Sequence, residues 1–295
     1  MARMIPKQNP LEGVAWMLGS GLSFVGVNSI VRGLGADIPA AQSAFIRFAF
    51  GVFFLLPVLP GLWRKGLPKG ALGLSLWRGG VHVAAVLFWF YAMARIPMAQ
   101  VTAIGYLNPV ILLIAGAVLL GETLTLRRMI AIAVALCGTL IVLRPGVQEV
   151  TSGHLSQICA AISFAGSYLF AKRLSALVPA STVVALLSLL VTIGLLPLAL
   201  WVWVPIAPLH IAGLAVVAFL ATAGHYMMTR AFRVAPMTVT QPVTFLNLVW
   251  AALAGSVIFA EPVDFWVLLG GGLIISAISW VTFAERAPLP QKSDA

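Results

Sequence analysis

IPMAQVTAIGYLNPVILLIAGAVLLGE (96–122) and APMTVTQPVTFLNLVWAALAGSVIFAE (235–261) are one pattern written twice. At an offset of 139, Ala92 meets Ala231, Pro97-Met98 meets Pro236-Met237, and Leu107-Asn108 meets Leu246-Asn247. Ala115-Gly116 meets Ala254-Gly255, and Glu122 meets Glu261. Working outward at an offset of 140, Gly13 meets Gly153, Ser23-Phe24 meets Ser163-Phe164, and Gly26 meets Gly166. Pro39 meets Pro179 and Pro57 meets Pro197. Alanine and leucine matches carry little weight in so apolar a chain. Three proline pairs, an asparagine pair and a glutamate pair in register point to an internal duplication.

The solvent for this duplication is lipid. The 295 residues are 61% hydrophobic and 9% charged, against about 25% charged in a soluble domain. A helix crossing the hydrocarbon needs about 20 apolar residues. Stretches without Asp, Glu, Lys or Arg give spans at 11–32, 40–62, 72–94, 97–120, 126–144, 152–173, 180–201, 208–230, 235–259 and 265–284. The longest such stretch, 174–229, holds two helices divided near Pro205 and Pro208, because proline favours helix starts. Connections are short, and lipid tolerates little backbone outside helices. The first apolar stretch is too long for a signal-peptide core and reads as an uncleaved first span. The expectation is an all-α membrane protein with tails at 1–10 and 285–295 and five-helix repeats at 11–146 and 150–284.

Five is odd, so the second repeat enters the membrane with opposite polarity. Two inverted repeats imply a pseudo-twofold axis in the membrane plane, with a site near the midplane at their interface. Thirteen Lys and Arg fall in segments on the side of the N-terminus and only Arg32, Arg95 and Arg144 on the other. That bias predicts both termini in the cytoplasm and a multi-pass protein of the bacterial inner (plasma) membrane. The net charge of +10 is scattered between apolar stretches, which fits anionic lipid rather than nucleic acid. Cys137 and Cys159 form no disulfide framework and read as packing residues.

Polar groups inside spans are costly and invite a functional reading. Asn108 and Asn247 lie at the centres of repeat-related spans, beside the helix breaks Pro109 and Pro242. Ser23 and Ser163 are repeat-related on small-residue faces, where close helix packing competes with ligand contact. His82 and His225 sit within spans, with Tyr106, Tyr168 and Tyr226 available as aromatic walls. Trp201, Trp203 and Trp266 read as interfacial anchors. Arg47 and Arg78 lie a few residues inside span ends, where snorkelling is the default. The alternative places one of them in a cavity, holding a carboxylate. Gly270–Gly272 and the face Ala131, Ala135 and Gly138 read as close-packing surfaces, not phosphate loops.

The segment from Arg95 to Gly146 resembles the drug/metabolite transporter superfamily, specifically its EamA type. Pro97, Asn108-Pro109, Gly121-Glu122 and Leu143-Arg144-Pro145-Gly146 carry the likeness, and Arg230 to Pro262 repeats it. Within the superfamily the chain most resembles amino-acid exporters of the YddG type. The second half departs by having Leu248 where the first has Pro109. The resemblance implies a central cavity lined by helices 1, 3, 4, 6, 8 and 9, with helices 5 and 10 to one side. It further implies export of small neutral or zwitterionic metabolites, amino acids above all, by alternating access. The partners expected are that cargo and the bilayer, with the chain a monomer or homodimer and no metal or cofactor. The expected site comprises Ser23, His82, Tyr106, Asn108, Ser163, Tyr168, His225, Tyr226 and Asn247. No carboxylate sits in mid-span to couple a driving ion, so the expected transport is downhill; a proton-coupled antiporter is the alternative. An intramembrane enzyme would need paired carboxylates, a metal cluster or an activated nucleophile, and the sequence offers none. A channel fits inverted repeats with broken helices less well.

Overall fold

The computed structural model describes residues 9–35, 37–58, 60, 66–108, 110–111, 114, 125–175, 177–234, 243–244 and 246–284. Among them ten α-helices follow one another and no strand occurs. They are α1 Pro10–Gly33, α2 Ala40–Leu55, α3 Ala71–Met93, α4 Met98–Gly105, α5 Leu126–Leu143, α6 Ser152–Ser175, α7 Ala180–Trp201, α8 Pro208–Val234, α9 Leu246–Phe259 and α10 Phe265–Ala284. The repeat prolines mark helix starts: Pro39, Pro97 and Pro179 are the N-caps of α2, α4 and α7. A proline there loses nothing, since its missing N–H has no helical partner. The later proline pair behaves differently in the two halves. Pro57 lies in a 3-10 turn, Leu56–Val58, that ends α2, whereas α7 runs on through Pro197 to Trp201. Pro109, Pro242 and Glu122 lie outside the described residues, as do 1–8 and 285–295.

Leu11–Gly33, Ala71–Met93, Ser181–Trp201 and Pro208–Met228 are each long and apolar enough to cross a membrane, and four further helices are apolar but shorter. Packing follows the duplication. Helix α3 packs on α6, and its counterpart α8 packs on α1; α2 with α8 is mirrored by α7 with α3. The pairs α2–α7, α4–α9 and α5–α10 each join a helix to its own counterpart. This exchange of partners is the signature of a pseudo-twofold between two inverted five-helix repeats. Helices α5 and α10 pack on each other and on α4, to one side of the bundle.

Small residues set the close crossings, as expected where lipid removes most of the hydrophobic drive. At Gly138 on α5, an added Cβ would stand 2.6 Å from the Gly270 carbonyl oxygen on α10. On α1, Gly19 and Gly26 leave room for Met227 and Leu220 of α8, and Ser20 Oγ donates to the Gly224 carbonyl at 2.9 Å. Helix α6 is held by polar groups instead. His154 Nε2 lies 2.8 Å from Gln100 Oε1, and Gln157 Nε2 donates to the Val101 carbonyl at 3.0 Å. Ser156 Oγ donates to Phe88 at 3.0 Å. All three α6 residues are buried, so the low hydropathy of this helix reflects an inward polar face.

Ion pairs tie the ends and agree with alternating helix directions. Glu12 and Arg230 approach to 3.8 Å at the face where the chain begins. At the opposite face Arg32 pairs with Glu261 at 2.9 Å, and Arg144 with Asp264. Two expectations need correction. Both cysteines are exposed on the bundle surface rather than packed. Arg78 does not snorkel: it is 7% exposed and its Nη1 donates to the Val183 carbonyl of α7 at 3.1 Å.

Candidate functional site

Aromatic–histidine contacts occur on both sides of the pseudo-twofold axis. On one side, His82 of α3 meets the edge of Phe164 of α6, ring centroids 5.3 Å apart. On the other, His225 of α8 meets Phe24 of α1 at 5.0 Å. Phe24 and Phe164 are repeat-related, as are the helix pairs that carry them. The two histidines differ in register by one helical turn, which is why the duplication did not single them out as a pair.

Around His82 the contacts are dense. Its Nδ1 lies 2.9 Å from Ser167 Oγ, and Phe48 of α2 stands edge-on at 5.8 Å. Tyr168 stacks on Phe164 at 6.3 Å. Tyr168 shares this aromatic cluster and keeps 42% of its surface accessible. The guanidinium of Arg47 lies 3.9 Å over the Phe48 ring. Arg78 precedes His82 by one turn of α3, and Phe48, whose ring meets His82, follows Arg47 on α2. Helices α2, α3 and α6 thus converge on one basic, aromatic centre.

The other expected site residues fall into neighbouring places. Ser23 packs its Cβ against Gly224 on α8, next to His225. Ser163 is half-buried on α6, one turn before Ser167. Tyr226, largely exposed, meets the edge of Trp16 at 6.4 Å, towards the end where Glu12 and Arg230 pair. Tyr106 donates its hydroxyl to the Thr244 carbonyl at 3.2 Å, joining the two repeats. Asn247 lies over Gly21 of α1, where any Cβ would come within 2.5 Å of Oδ1; that oxygen is buried without a hydrogen-bond partner. Asn108 is half-buried just beyond Tyr106, and no described hydrogen bond or ring contact joins it to the centre. Sequence reasoning missed the rings of Phe48 and Phe164, and the buried Gln100, His154 and Gln157. The Ser163-Phe164 repeat match was the available signal for Phe164; none marked Phe48.

A cavity of about 240 Å³ lies near the end opposite the N-terminus, lined by Val31, Pro39, Ser43, Phe90, Tyr91 and Arg95 among others. At that end Glu261 joins several elements. Its Oε1 holds Arg32, its Oε2 accepts from the Met98 amide at the start of α4 at 3.0 Å, and Arg32 Nη1 reaches the Met93 carbonyl of α3 at 3.2 Å. Ala260, at φ 52, turns the chain so that the carboxylate lies over Gly255, where a Cβ would come within 2.5 Å of Oε2.

A helical bundle with internal polar groups, such as His154, Ser156 and Gln157 of α6, fits the passage of a solute. Comparison with known proteins agrees. The chain is 29% identical to a riboflavin transporter of Vibrio cholerae, covering 94% of each. It is 26% identical to an S-adenosylmethionine uptake transporter of Rickettsia prowazekii, covering 97% of each. It is also 26% identical to the pseudopaline exporter CntI of Pseudomonas aeruginosa, covering 90% of this chain and 94% of that one. A solved crystal structure of 19% identity shares the fold, with a TM-score of 0.60 over 94% of this chain and 96% of its own. The model of the EamA-like transporter family matches residues 11–144 and again 151–283, and the chain is a membrane transporter belonging to that family.

Proposed function

We propose that this chain carries a small ring-bearing metabolite, of amino-acid size, out of the cell across the bacterial inner membrane by alternating access. The observation that supports this reading is the pair of Phe–His contacts, each joining a residue of one repeat to a residue of the other. A site built from both repeats is remade whenever one repeat rocks against the other. The basic-residue bias supports cytoplasmic termini. Transport is downhill: the described carboxylates Glu12, Asp37, Glu149, Glu261 and Asp264 lie in a first turn or in connections, and none is placed to bind a driving ion in mid-membrane.

Purified protein in liposomes tests this directly. Radiolabelled amino acids and riboflavin should be screened for saturable flux that stops at equal concentrations on both sides. A pH gradient should leave that endpoint unchanged. Accumulation driven by a proton gradient and lost in His82→Ala or His225→Ala would replace the downhill reading with the proton-coupled one. A second cargo reading, a larger fused ring such as a flavin, is favoured by the names of the relatives. It predicts that unlabelled riboflavin abolishes flux of every other substrate at lower concentration than any amino acid does.

A further inference from the structure

Among the described residues the basic centre has no carboxylate counter-ion. Arg78 and Arg47 enter it from different helices, and every carboxylate among the described residues sits at a helix end or in a connection. Two of these, Glu261 and Asp264, are already engaged by Arg32 and Arg144. Arg78 spends one N–H on the Val183 carbonyl, while its Nε is buried with no hydrogen-bond partner. A guanidinium offers five N–H donors, so most of that capacity is uncommitted. Arg47 contacts a ring face instead of an anion. Burying a cation without a partner costs several kcal/mol, and two cations in a low-dielectric centre raise a strong positive potential.

The scaffold does not require these charges. The position related to Arg47 holds Leu187, and those related to Arg78 at either offset hold Val217 and Ala218. The same packing is therefore achieved in the other repeat with apolar residues. Arg47 lies over the Phe48 ring, and the rings of Phe48, His82, Phe164 and Tyr168 run on from it in successive contacts.

We propose that Arg47 and Arg78 form the anion-binding end of the transport site and that its cargo is a ring-bearing organic anion rather than a zwitterion. The proposal rests on the carrier reading above and names the cargo's charge. The guanidinium groups hold the carboxylate or other acidic group of the cargo, and the Phe–Tyr wall holds its ring. A free ammonium group on the cargo would meet two guanidinium groups and no described carboxylate, so net charge selects against it.

Three probes share one ring and differ in charge: N-acetylphenylalanine (anion), phenylalanine (zwitterion) and phenylalaninamide (cation). Each is radiolabelled and its saturable flux measured in proteoliposomes of the full chain, with protein-free liposomes subtracted. The expected result is flux of the anion at least tenfold above the zwitterion, with none for the cation. Arg47→Gln should cut anion flux at least tenfold at an unchanged thermal midpoint. Arg78→Lys, which keeps the charge but loses the planar fork, should weaken it less. Equal flux of anion and zwitterion, both indifferent to Arg47→Gln, overturns the charge assignment and leaves the carrier reading standing. The same holds if riboflavin or an amino acid is carried and the anion is not. No saturable flux of any of these solutes by folded protein sinks both.

Discussion

Glu261→Gln removes one charge from the junction of α1, α3, α4 and the α9–α10 connection and changes little else. The amide oxygen can still accept from the Met98 N–H, so the substitution isolates the ion pair with Arg32. The two side chains are 10% and 21% exposed, between a surface pair worth about 0–1 kcal/mol and a buried one whose disruption costs about 3–5 kcal/mol. A value of about 2 kcal/mol is appropriate. The contact bridges elements of both repeats, so its loss falls mainly on the state in which this end is closed. At about 1.4 kcal/mol per tenfold, the open population should rise roughly 30-fold.

Ser43 reports the change. It is buried and lines the cavity at the same end, so a thiol there reacts only when the end opens. With Cys137 and Cys159 replaced by alanine, Ser43→Cys in purified protein should label with a maleimide about ten- to thirtyfold faster once Glu261→Gln is added. Labelling within twofold of the parent, together with an unchanged thermal midpoint, would show that the ion pair does not hold this end closed.

Three further outcomes follow from the same geometry. Gly138→Ala should lower the thermal midpoint, since its Cβ meets backbone of α10 that cannot yield and overpacking costs about 1–3 kcal/mol; Gly272→Ala, with open space around it, should be neutral or slightly stabilising in the same melt. His154→Leu strands Gln100 Oε1 and should cost about 0.6–2 kcal/mol in thermal unfolding while leaving the substrate concentration for half-maximal flux unchanged. Glu122→Gln should slow labelling of Ser43→Cys, opposite to Glu261→Gln, because the duplication relates Arg32, Met98, Gly255 and Glu261 to Lys172, Met237, Gly116 and Glu122 and the second repeat is inverted; acceleration would contradict it.

Helix positions were legible because charges and prolines punctuate an apolar chain. Pro39, Pro97 and Pro179 mark helix starts, and most of the described helices begin and end within a few residues of the uncharged stretches. Where the boundaries move, a local reason exists. Helix α8 extends to Val234, whose carbonyl accepts from the Asn9 amide at 2.8 Å. Rotation about each helix axis was less legible. A residue's distance from a helix end says how easily it can snorkel, and by that measure Arg78 belonged at the surface. Which way it points depends on the α3–α7 crossing, a contact between residues about 100 positions apart that no local pattern encodes. The same holds for Phe48, and for the glutamine and histidine side chains that bind α6 to α3 and α4.

The duplication explains what is shared and thereby isolates what is not. Partner exchange among the helices and the Phe24–Phe164 match follow from one ancestral packing used twice in opposite orientations. Departures from that symmetry need a separate cause. The inward polar face of α6 has no counterpart on α1, where Val14 and Met17 stand at the positions of His154 and Gln157. His154 and Gln157 are satisfied by α4, so polar groups fasten α6 to α4, whereas in the twin contact, α1 on α9, Asn247 Oδ1 lies against Gly21 without a hydrogen-bond partner. The arginines depart from symmetry with their charge unpaired among the described residues: Arg78 has one carbonyl and Arg47 a ring face. A rocking scaffold can tolerate buried charge only if something mobile neutralises it in part of the cycle. Cavity water can do so in the empty carrier, and an anionic cargo can do so in the loaded one. Loading then replaces a costly solvation with a direct ion pair, which lowers the barrier for the loaded carrier to cross between states.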